Sequence, residues 1–203
     1  MMKKRLLALL AGIFILGIAS SGGAIALFSD DFNRENNDTI GNGWYEVEYD
    51  SSDVAVKDNY LRLRDESQTE KDAAVIKDLS LTGYMNVWLD FDWAANNNTE
   101  PSDSLNIGYD FNDDNWKIVW TQALGGSEFA SVSLDFLGVL DNQSNVRLAI
   151  WVDVSAATED AKIDNVILRG DEMGAAPVPE PATMLLFGLS LTALAGLCRK
   201  KKI

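Results

Sequence analysis

Apolar and polar residues alternate with a period of two along most of the middle of this chain. In one segment Val87, Leu89, Phe91 and Trp93 occupy every second position, and mostly polar residues lie between them. This period places successive side chains on opposite faces of an extended strand, whereas a helix would need apolar residues three and four positions apart. The same alternation recurs at 105–111, 116–120, 132–136 and 146–152.

Turn-forming residues separate these segments. Clusters of Asn, Asp, Gly and Pro lie near 96–101, 112–115, 125–126 and 141–143, and shorter candidate strands lie at 44–49, 59–64, 73–78 and 161–169. About ten short strands without a sustained helical period predict an all-β fold, built as an antiparallel β-sandwich or barrel.

The first 26 residues have the order of a secretory signal peptide. A basic cluster at 3–5 precedes an apolar stretch at 6–18, and Ala24 and Ala26 form an Ala-x-Ala pattern. This order predicts export and cleavage by signal peptidase after Ala26. An uncleaved anchor is the alternative.

The last 25 residues contain three parts in sequence. Pro179, Glu180 and Pro181 precede an apolar run at 182–198, and the basic residues Arg199, Lys200, Lys201 and Lys202 follow it. As a helix, this run would span roughly 25 Å, near the short end of what crosses a hydrocarbon core of about 30 Å. Because basic residues stay on the cytoplasmic side, the residues before the run are predicted to lie outside.

This order of motif, short transmembrane helix and basic end resembles the PEP-CTERM sorting signal of exopolysaccharide-producing Gram-negative bacteria. The resemblance implies that exosortase, a membrane-embedded cysteine protease, recognises and removes the tail. It also implies that the protein is held transiently in the inner membrane and then reaches the cell surface or the extracellular space. A plain C-terminal anchor is the alternative.

The two ends leave one predicted domain at 27–172, with a linker at 173–178 before the sorting signal at 179–203. The middle of the chain contains 10 basic and 30 acidic residues and so carries a net charge of about −20, compared with −14 for the whole chain. This charge is expected to repel nucleic acid and to attract divalent cations. The many aromatic and aliphatic residues favour a folded domain over disorder.

The residue types exclude several kinds of catalysis. The chain has no histidine, and its one cysteine, Cys198, lies in the apolar run of the tail. Ser-His-Asp and Cys-His mechanisms and His-ligated zinc are therefore excluded. A glycosidase would use paired carboxylates, but the Glu-x-Asp-x-x-Glu strand of laminarinase-type enzymes does not occur. A non-enzymatic protein is predicted; a secreted carbohydrate-active enzyme acting on extracellular polysaccharide is the alternative.

Two parts of the domain resemble extracellular jelly-roll modules. DDFNR at 30–34 followed by IGNGW at 40–44 resembles their opening motif, and KIDNV at 162–166 resembles the closing strand of carbohydrate-binding and concanavalin-like sandwiches. The resemblance implies an antiparallel jelly-roll β-sandwich. Most members of this broad group bind glycans or serve as adhesion and accessory domains, and some are catalytic.

In such jelly rolls a structural calcium ion commonly joins the first and last strands. The resemblance therefore implies a calcium site formed by Asp30 or Asp31 with Asp164, because calcium prefers carboxylate and amide oxygens. Solvated acidic side chains are the alternative. A further acidic segment at 110–115 begins like an EF-hand loop but lacks the glycine and the final glutamate, so it is predicted to be a hairpin turn.

Trp88 and Trp151 interrupt the apolar alternation of their strands, so their side chains are predicted to point away from the core. Both have polar or charged neighbours, and an indole beside hydrogen-bonding groups is suited to stacking on a sugar ring. Both are predicted to bind glycan; coverage by a loop or a sheet edge is the alternative. Four other tryptophans are predicted to lie in the core: Trp44, Trp93, Trp116 and Trp120.

Together these features predict a non-enzymatic surface or matrix protein, processed by exosortase and associated with exopolysaccharide through glycan contacts. A module that binds another surface protein through its acidic face would differ only in its ligand.

Overall fold

The computed structural model of the chain describes residues 23–64 and 73–174. Most of the predicted signal peptide and the whole sorting signal, including Pro179, Glu180 and Pro181, lie outside the described residues. Within the described ranges, no helix is long and apolar enough to cross a membrane. Residues Ala24–Met173 form one compact unit.

The described residues form eleven strands in two antiparallel sheets, which confirms the predicted all-β sandwich. The strands are β1 (Ile25–Asp30), β2 (Trp44–Val47), β3 (Val54–Lys57), β4 (Tyr60–Arg64), β5 (Ala74–Leu79), β6 (Tyr84–Ala95), β7 (Ser104–Asp110), β8 (Lys117–Ala123), β9 (Ala130–Asp135), β10 (Val146–Asp153) and β11 (Asp160–Glu172).

One sheet has six strands in the order β3-β4-β11-β6-β9, with β1 also paired to β11, and the other has five in the order β2-β5-β10-β7-β8. The chain passes from one sheet to the other at every step except those from β3 to β4 and from β7 to β8. These crossings interleave the strands in sequence, so the residues that meet within one sheet are far apart along the chain.

The core lies between the sheets and consists of the inward-facing set of each alternating strand. In β6 the side chains of Val87, Leu89 and Phe91 are buried, and in β10 those of Leu148 and Ile150 are buried. Removing apolar surface from water contributes roughly 25 cal/mol per Å². The period of two in the sequence arises because each strand has one face buried in the core and one face that points outward.

The tryptophans predicted for the core differ in their environments. Trp44 and Trp93 are buried, and Trp120 packs against the core while partly exposed. The prediction for Trp116 is wrong: it is half-buried outside the core cluster, and the Arg147 guanidinium lies 5.2 Å from its ring centroid. Trp116 precedes β8 and lies in the turn before it, so strand alternation does not determine where its side chain points.

Strand β1 already begins at Ile25, which is paired with Gly170 of β11. Cleavage after Ala26 would remove the first two residues of this strand. The cleavage pattern at Ala24 and Ala26 stays a prediction.

Candidate functional site

Across the five-stranded sheet, the side chains that point away from the core form rows, because directly opposed residues on neighbouring strands share a face. We call this surface the outer face. Its central row crosses all five strands in the order Tyr45, Ile76, Ala149, Gly108 and Ile118. Every member of this row is apolar or aromatic, so a stripe without charge runs across the outer face.

The central row is low in the middle and high at its ends. Gly108 and Ala149 are the smallest members and are buried beneath their neighbours. Tyr45 on β2 and Ile118 on β8 are 68% and 59% exposed. Small residues at the centre therefore leave room above the sheet, which the Trp151 indole fills over Gly108, and larger side chains lie at its two edges.

The Trp151 side chain lies against Gly108. A Cβ atom at Gly108 would be 3.0 Å from two ring carbons of Trp151 and 2.8 Å from the Lys117 carbonyl oxygen. Trp151 itself is half-buried. Glycine is needed here because no side chain fits between the indole and the sheet.

We expect Gly108→Ala to destabilise the domain by about 1–3 kcal/mol, because the added methyl meets backbone and indole atoms that are already in place. Gly125→Ala is the matched control, since a Cβ atom there would have no neighbour within 4 Å. Urea denaturation of the two variants measures the difference. Equal stability of the two would show that Trp151 is not held against Gly108.

A line of hydrogen-bonded polar side chains runs beside Trp151. Asn106, directly opposite Trp151, is 5% exposed. Its amide donates to the Ser104 hydroxyl over 2.9 Å, and its amide oxygen accepts from the Thr121 hydroxyl over 2.9 Å. These bonds fix the orientation of donors and acceptors next to an aromatic ring.

On the other side of the central row, an ion pair ties the sheet to the β7–β8 turn. The Arg147 guanidinium donates to the buried Asp110 carboxylate, with 2.6 Å from Nε to Oδ1, and to Asp114 over 2.7 Å. Asp110 also accepts the backbone N–H groups of Asn112 and Asp114. The Arg147 hydrogen bond is the main reason that the pKa of Asp110 lies below its usual value. The predicted hairpin turn is thus confirmed, with Asp110 organising it.

An open cleft of about 360 Å³ adjoins this ion pair. Its walls include Asp78 and Arg147 of the sheet and the loop residues Ser80, Ser144 and Asn145. The outer face therefore continues from its apolar stripe into a polar cleft at one end.

Trp88 lies on the opposite side of the sandwich from Trp151. It belongs to β6 of the six-stranded sheet, between Arg169 of β11 and Asp135 of β9. It is half-buried and outside the core cluster, and Arg169 donates to Asp90 on the same surface over 2.9 Å. Both tryptophans point away from the core as predicted, but they cannot belong to one site.

The predicted calcium ligand Asp30 is already fully engaged. It is 4% exposed, and its two oxygens accept from Arg34 Nη1 over 2.6 Å and Nη2 over 3.0 Å. The Trp44 indole N–H donates over 3.0 Å and the Phe32 backbone N–H over 2.9 Å. Burial by itself would raise the pKa of Asp30, but these donors, Arg34 first, hold it below its usual value. An arginine thus occupies the place next to Asp30 that a cation would take.

One carboxylate oxygen of Asp31 accepts the backbone N–H of Asn33, and one of Asp164 accepts that of Asn165. The second oxygen of each carboxylate could bind a cation. Burial raises the pKa of Asp164, and the negative charges of Asp92, Asp31 and Asp30 raise it further. Among residues 23–64 and 73–174, no group of three or more His, Cys, Asp or Glu side chains is arranged to hold a metal ion. Asp30 does not fit as a calcium ligand, and a calcium ion at Asp31 and Asp164 stays a prediction.

We expect Asp164→Asn to raise the melting temperature at pH 7 by about 1–2 °C in the presence of chelator, because it removes one charge from a crowded acidic group. The gain should vanish below pH 4, where the wild-type carboxyl is also protonated. Calcium added to both proteins is the comparison: a rise in the wild type that the variant lacks would support the calcium site. A lower melting temperature of the variant in chelator would contradict the expectation.

Several residues of the outer face were not singled out from the sequence. Tyr45, Asn106 and Thr121 come from three different strands, and the pairing register of these strands cannot be predicted from the local sequence of any one of them. Gly108 did carry a signal, because a glycine inside a strand pattern often marks a close approach of another group.

The C-terminal end of the chain carries a known sorting signal. Residues 177–202 match the PEP-CTERM protein-sorting motif. This motif indicates an exported protein whose C-terminal signal is processed by exosortase at the membrane. No curated protein sequence matches the chain.

Solved structures share the fold at low sequence identity. The cleaved adhesin domain of Lys-gingipain from Porphyromonas gingivalis has a TM-score of 0.53 and 12% identity, covering 72% of this chain and 99% of that one. A CBM4 structure has a TM-score of 0.48 and 13% identity, covering 70% and 97%. A family 29 carbohydrate-binding module has a TM-score of 0.47 and 14% identity, covering 72% and 88%. At this identity the likeness shows the β-sandwich fold alone.

Proposed function

We propose that the sandwich is a non-enzymatic module that binds a neutral polysaccharide across the outer face of the five-stranded sheet. The observation that carries this proposal is the arrangement of Trp151: its indole lies against Gly108, directly beside the bonded series Ser104–Asn106–Thr121. Sugar rings have apolar faces and hydroxyl edges. An indole next to fixed donors and acceptors matches both.

The shape of the outer face supports a chain-like ligand. The central row runs across five strands, and neighbouring strands lie about 4.8 Å apart, so its length is that of a few sugar units. At its centre the Trp151 indole covers Gly108, and the exposed side chains of Tyr45 and Ile118 lie at its two ends. An extended polysaccharide could lie along the stripe and reach the polar cleft beside Arg147.

The charges on the outer face favour a neutral ligand over an acidic one. Arg147 is neutralised by Asp110 and Asp114. Asp78 lies in the same row as Arg147, Asp153 lies in the row beyond Trp151, and both add negative charge. A polysaccharide rich in carboxylates would be repelled by these groups. The alternative hypothesis, a module that binds another surface protein through its acidic face, would instead require a basic partner.

The carboxylates of the outer face support a function in binding, without catalysis. Asp110 is fully buried and bonded to Arg147 and the turn. The carboxyls with raised pKa among the described residues are Glu48 and Asp164, and neither belongs to the rows of the outer face. A general acid needs a proton near neutral pH at the sugar, and neither of these two carboxyls lies where the proposed ligand would bind.

The sorting motif supports the cell surface as the place where the module binds its ligand. A protein exported and processed by exosortase is released from or retained at the cell surface, where polysaccharide is available. We propose that the module associates there with the exopolysaccharide layer after the tail is removed, with neutral glycan as its partner.

The test is a glycan array probed with residues 24–174, with neutral and uronate-containing polysaccharides, in calcium and in chelator. We expect saturable binding to a neutral glycan that persists at 1 M salt, where the screening length is about 3 Å. Binding that disappears at high salt would favour the module that recognises a charged protein partner. No binding to any glycan would overturn the proposed function.

A further inference from the structure

Half of the large apolar side chains that the described residues expose lie at one end of the sandwich. Among ten such residues, five share this end. Ile25 is 38% exposed but precedes the predicted cleavage after Ala26, whereas Met85 is 36% exposed, Leu137 83%, Val139 44% and Met173 48%. We call these last four residues the apolar end. It includes no residue of the outer face.

Backbone hydrogen bonds and strand register bring the apolar end together. Met173 donates its N–H to Gly83 over 2.7 Å, and Asn142 donates to Tyr84 over 2.8 Å. Met85 is opposite Asp171, and Ile25 is opposite Gly170. The start of β1, the end of β11, the start of β6 and the loop after β9 therefore meet at the same end.

Leu137 is held outward in an unfavourable backbone conformation. Its φ is 51°, in the left-handed region that leucine rarely adopts. The Asp135 carboxylate accepts its backbone N–H over 2.7 Å, and Gly138 continues the turn at φ 77°. A leucine that is 83% exposed gains little from packing within the domain. Such strain at an exposed tip is typical of a functional contact.

The chain that follows this end is short. Gly174 follows Met173, and seven residues, 175–181, separate it from the start of the apolar run of the sorting signal at Ala182. Fully extended, the eight residue steps from Gly174 to Ala182 reach about 29 Å at most. A membrane that holds the tail therefore keeps a bilayer surface within reach of the apolar end, at a local concentration far above that of a free partner.

We propose that the apolar end contacts the bilayer surface while the sorting tail is still inserted, so that the domain lies against the membrane until exosortase releases it. Leucine, valine and methionine side chains enter the boundary between headgroups and acyl chains. Asp135, Asp141, Asp171 and Glu172 lie close to these side chains in sequence, so the contact is shallow and suits zwitterionic lipid. Removal of the tail ends the tether and with it the contact.

The experiment uses the full chain with its tail in phosphatidylcholine vesicles. Cys198→Ala removes the only native thiol, and Leu137→Cys or Tyr49→Cys then accepts an environment-sensitive fluorophore. Tyr49 is the matched control, because it is 66% exposed but follows β2 at the opposite end of the sandwich. Lipids with a nitroxide just below the headgroup quench a fluorophore buried about 5–10 Å into the interface.

We expect at least about twofold stronger quenching at position 137 than at position 49, and a blue-shifted emission at 137 only. Both labelled proteins should melt within about 2 °C of the unlabelled chain, since both positions are exposed. Equal quenching at the two positions would overturn the proposal. Weak quenching combined with energy transfer between copies that rises with protein density would assign the apolar end to self-association and would also overturn it.

Discussion

Trp151→Ala is expected to weaken glycan binding by about 30-fold or more, which corresponds to about 2 kcal/mol for a central aromatic contact. The indole provides a flat apolar surface over Gly108, and its removal also leaves the Asn106 network beside an empty space. The measurement is isothermal titration calorimetry with the neutral polysaccharide selected on the array. Thermal unfolding of the variant would be recorded in parallel.

Trp88→Ala is the control that the fold provides. Trp88 is also half-buried and also points away from the core, but it belongs to the six-stranded sheet. We expect its removal to change affinity by less than about twofold, because distant sites act independently. If Trp88→Ala abolished binding and Trp151→Ala did not, the binding surface would be that of the six-stranded sheet.

Asp30→Ala is expected to destabilise the domain by about 3 kcal/mol. Breaking a buried pair by removing one partner typically costs about 3–5 kcal/mol, and the lower end applies because the Arg34 side chain is 32% exposed. The change also removes the acceptor of the buried Trp44 indole N–H. For a domain of this size, the melting temperature should fall by roughly 6–12 °C.

Asp31→Ala provides the comparison, since Asp31 is the neighbouring acidic residue and is exposed. Its effect should stay within about 0.5 kcal/mol. Both variants are measured by calorimetry in chelator, so that a calcium ion cannot contribute. Equal losses for the two variants would contradict the network around Asp30.

The effect of Asp30→Ala should also depend on pH. The folded-state pKa of Asp30 lies below its usual value, so its contribution to stability is complete above the unfolded pKa of about 3.9 and is lost as the pH falls through the folded value. The gap between wild type and Asp30→Ala should therefore be widest near neutral pH and narrow below about pH 4. A gap that stayed constant down to pH 2 would show that packing, and not the charge, is responsible.

The opening segment of the domain shows that a motif can be recognised correctly while its side chains make different contacts from those the resemblance implies. DDFNR and IGNGW are distant enough in sequence to be read as two elements, and the structure joins them through Asp30, Arg34 and Trp44. The resemblance implied a calcium site formed by Asp30 or Asp31 with Asp164. The arginine four residues after Asp30 already satisfies that carboxylate, so within this motif Asp30 stabilises the entry into the sandwich through Arg34 and Trp44.

Most of the strands and the C-terminal sorting signal could be predicted from the sequence alone. Alternation in β6, β7 and β10 is a local property, because each strand buries every second side chain whichever strand lies beside it. The tail is equally local, since the order of motif, apolar run and basic residues is contained in residues 177–202. The outward direction of Trp88 and Trp151 followed from the same parity.

Which outward residues share a surface depends on how the strands are arranged in three dimensions. Trp88 and Trp151 have the same local pattern, yet β6 and β10 belong to different sheets, so the two indoles lie on opposite sides. Gly108, Asn106 and Trp151 come together because β7 pairs with β10 in one particular register. Sheet order and register depend on how all strands pack around one core, and this long-range packing cannot be read from the period of a single strand.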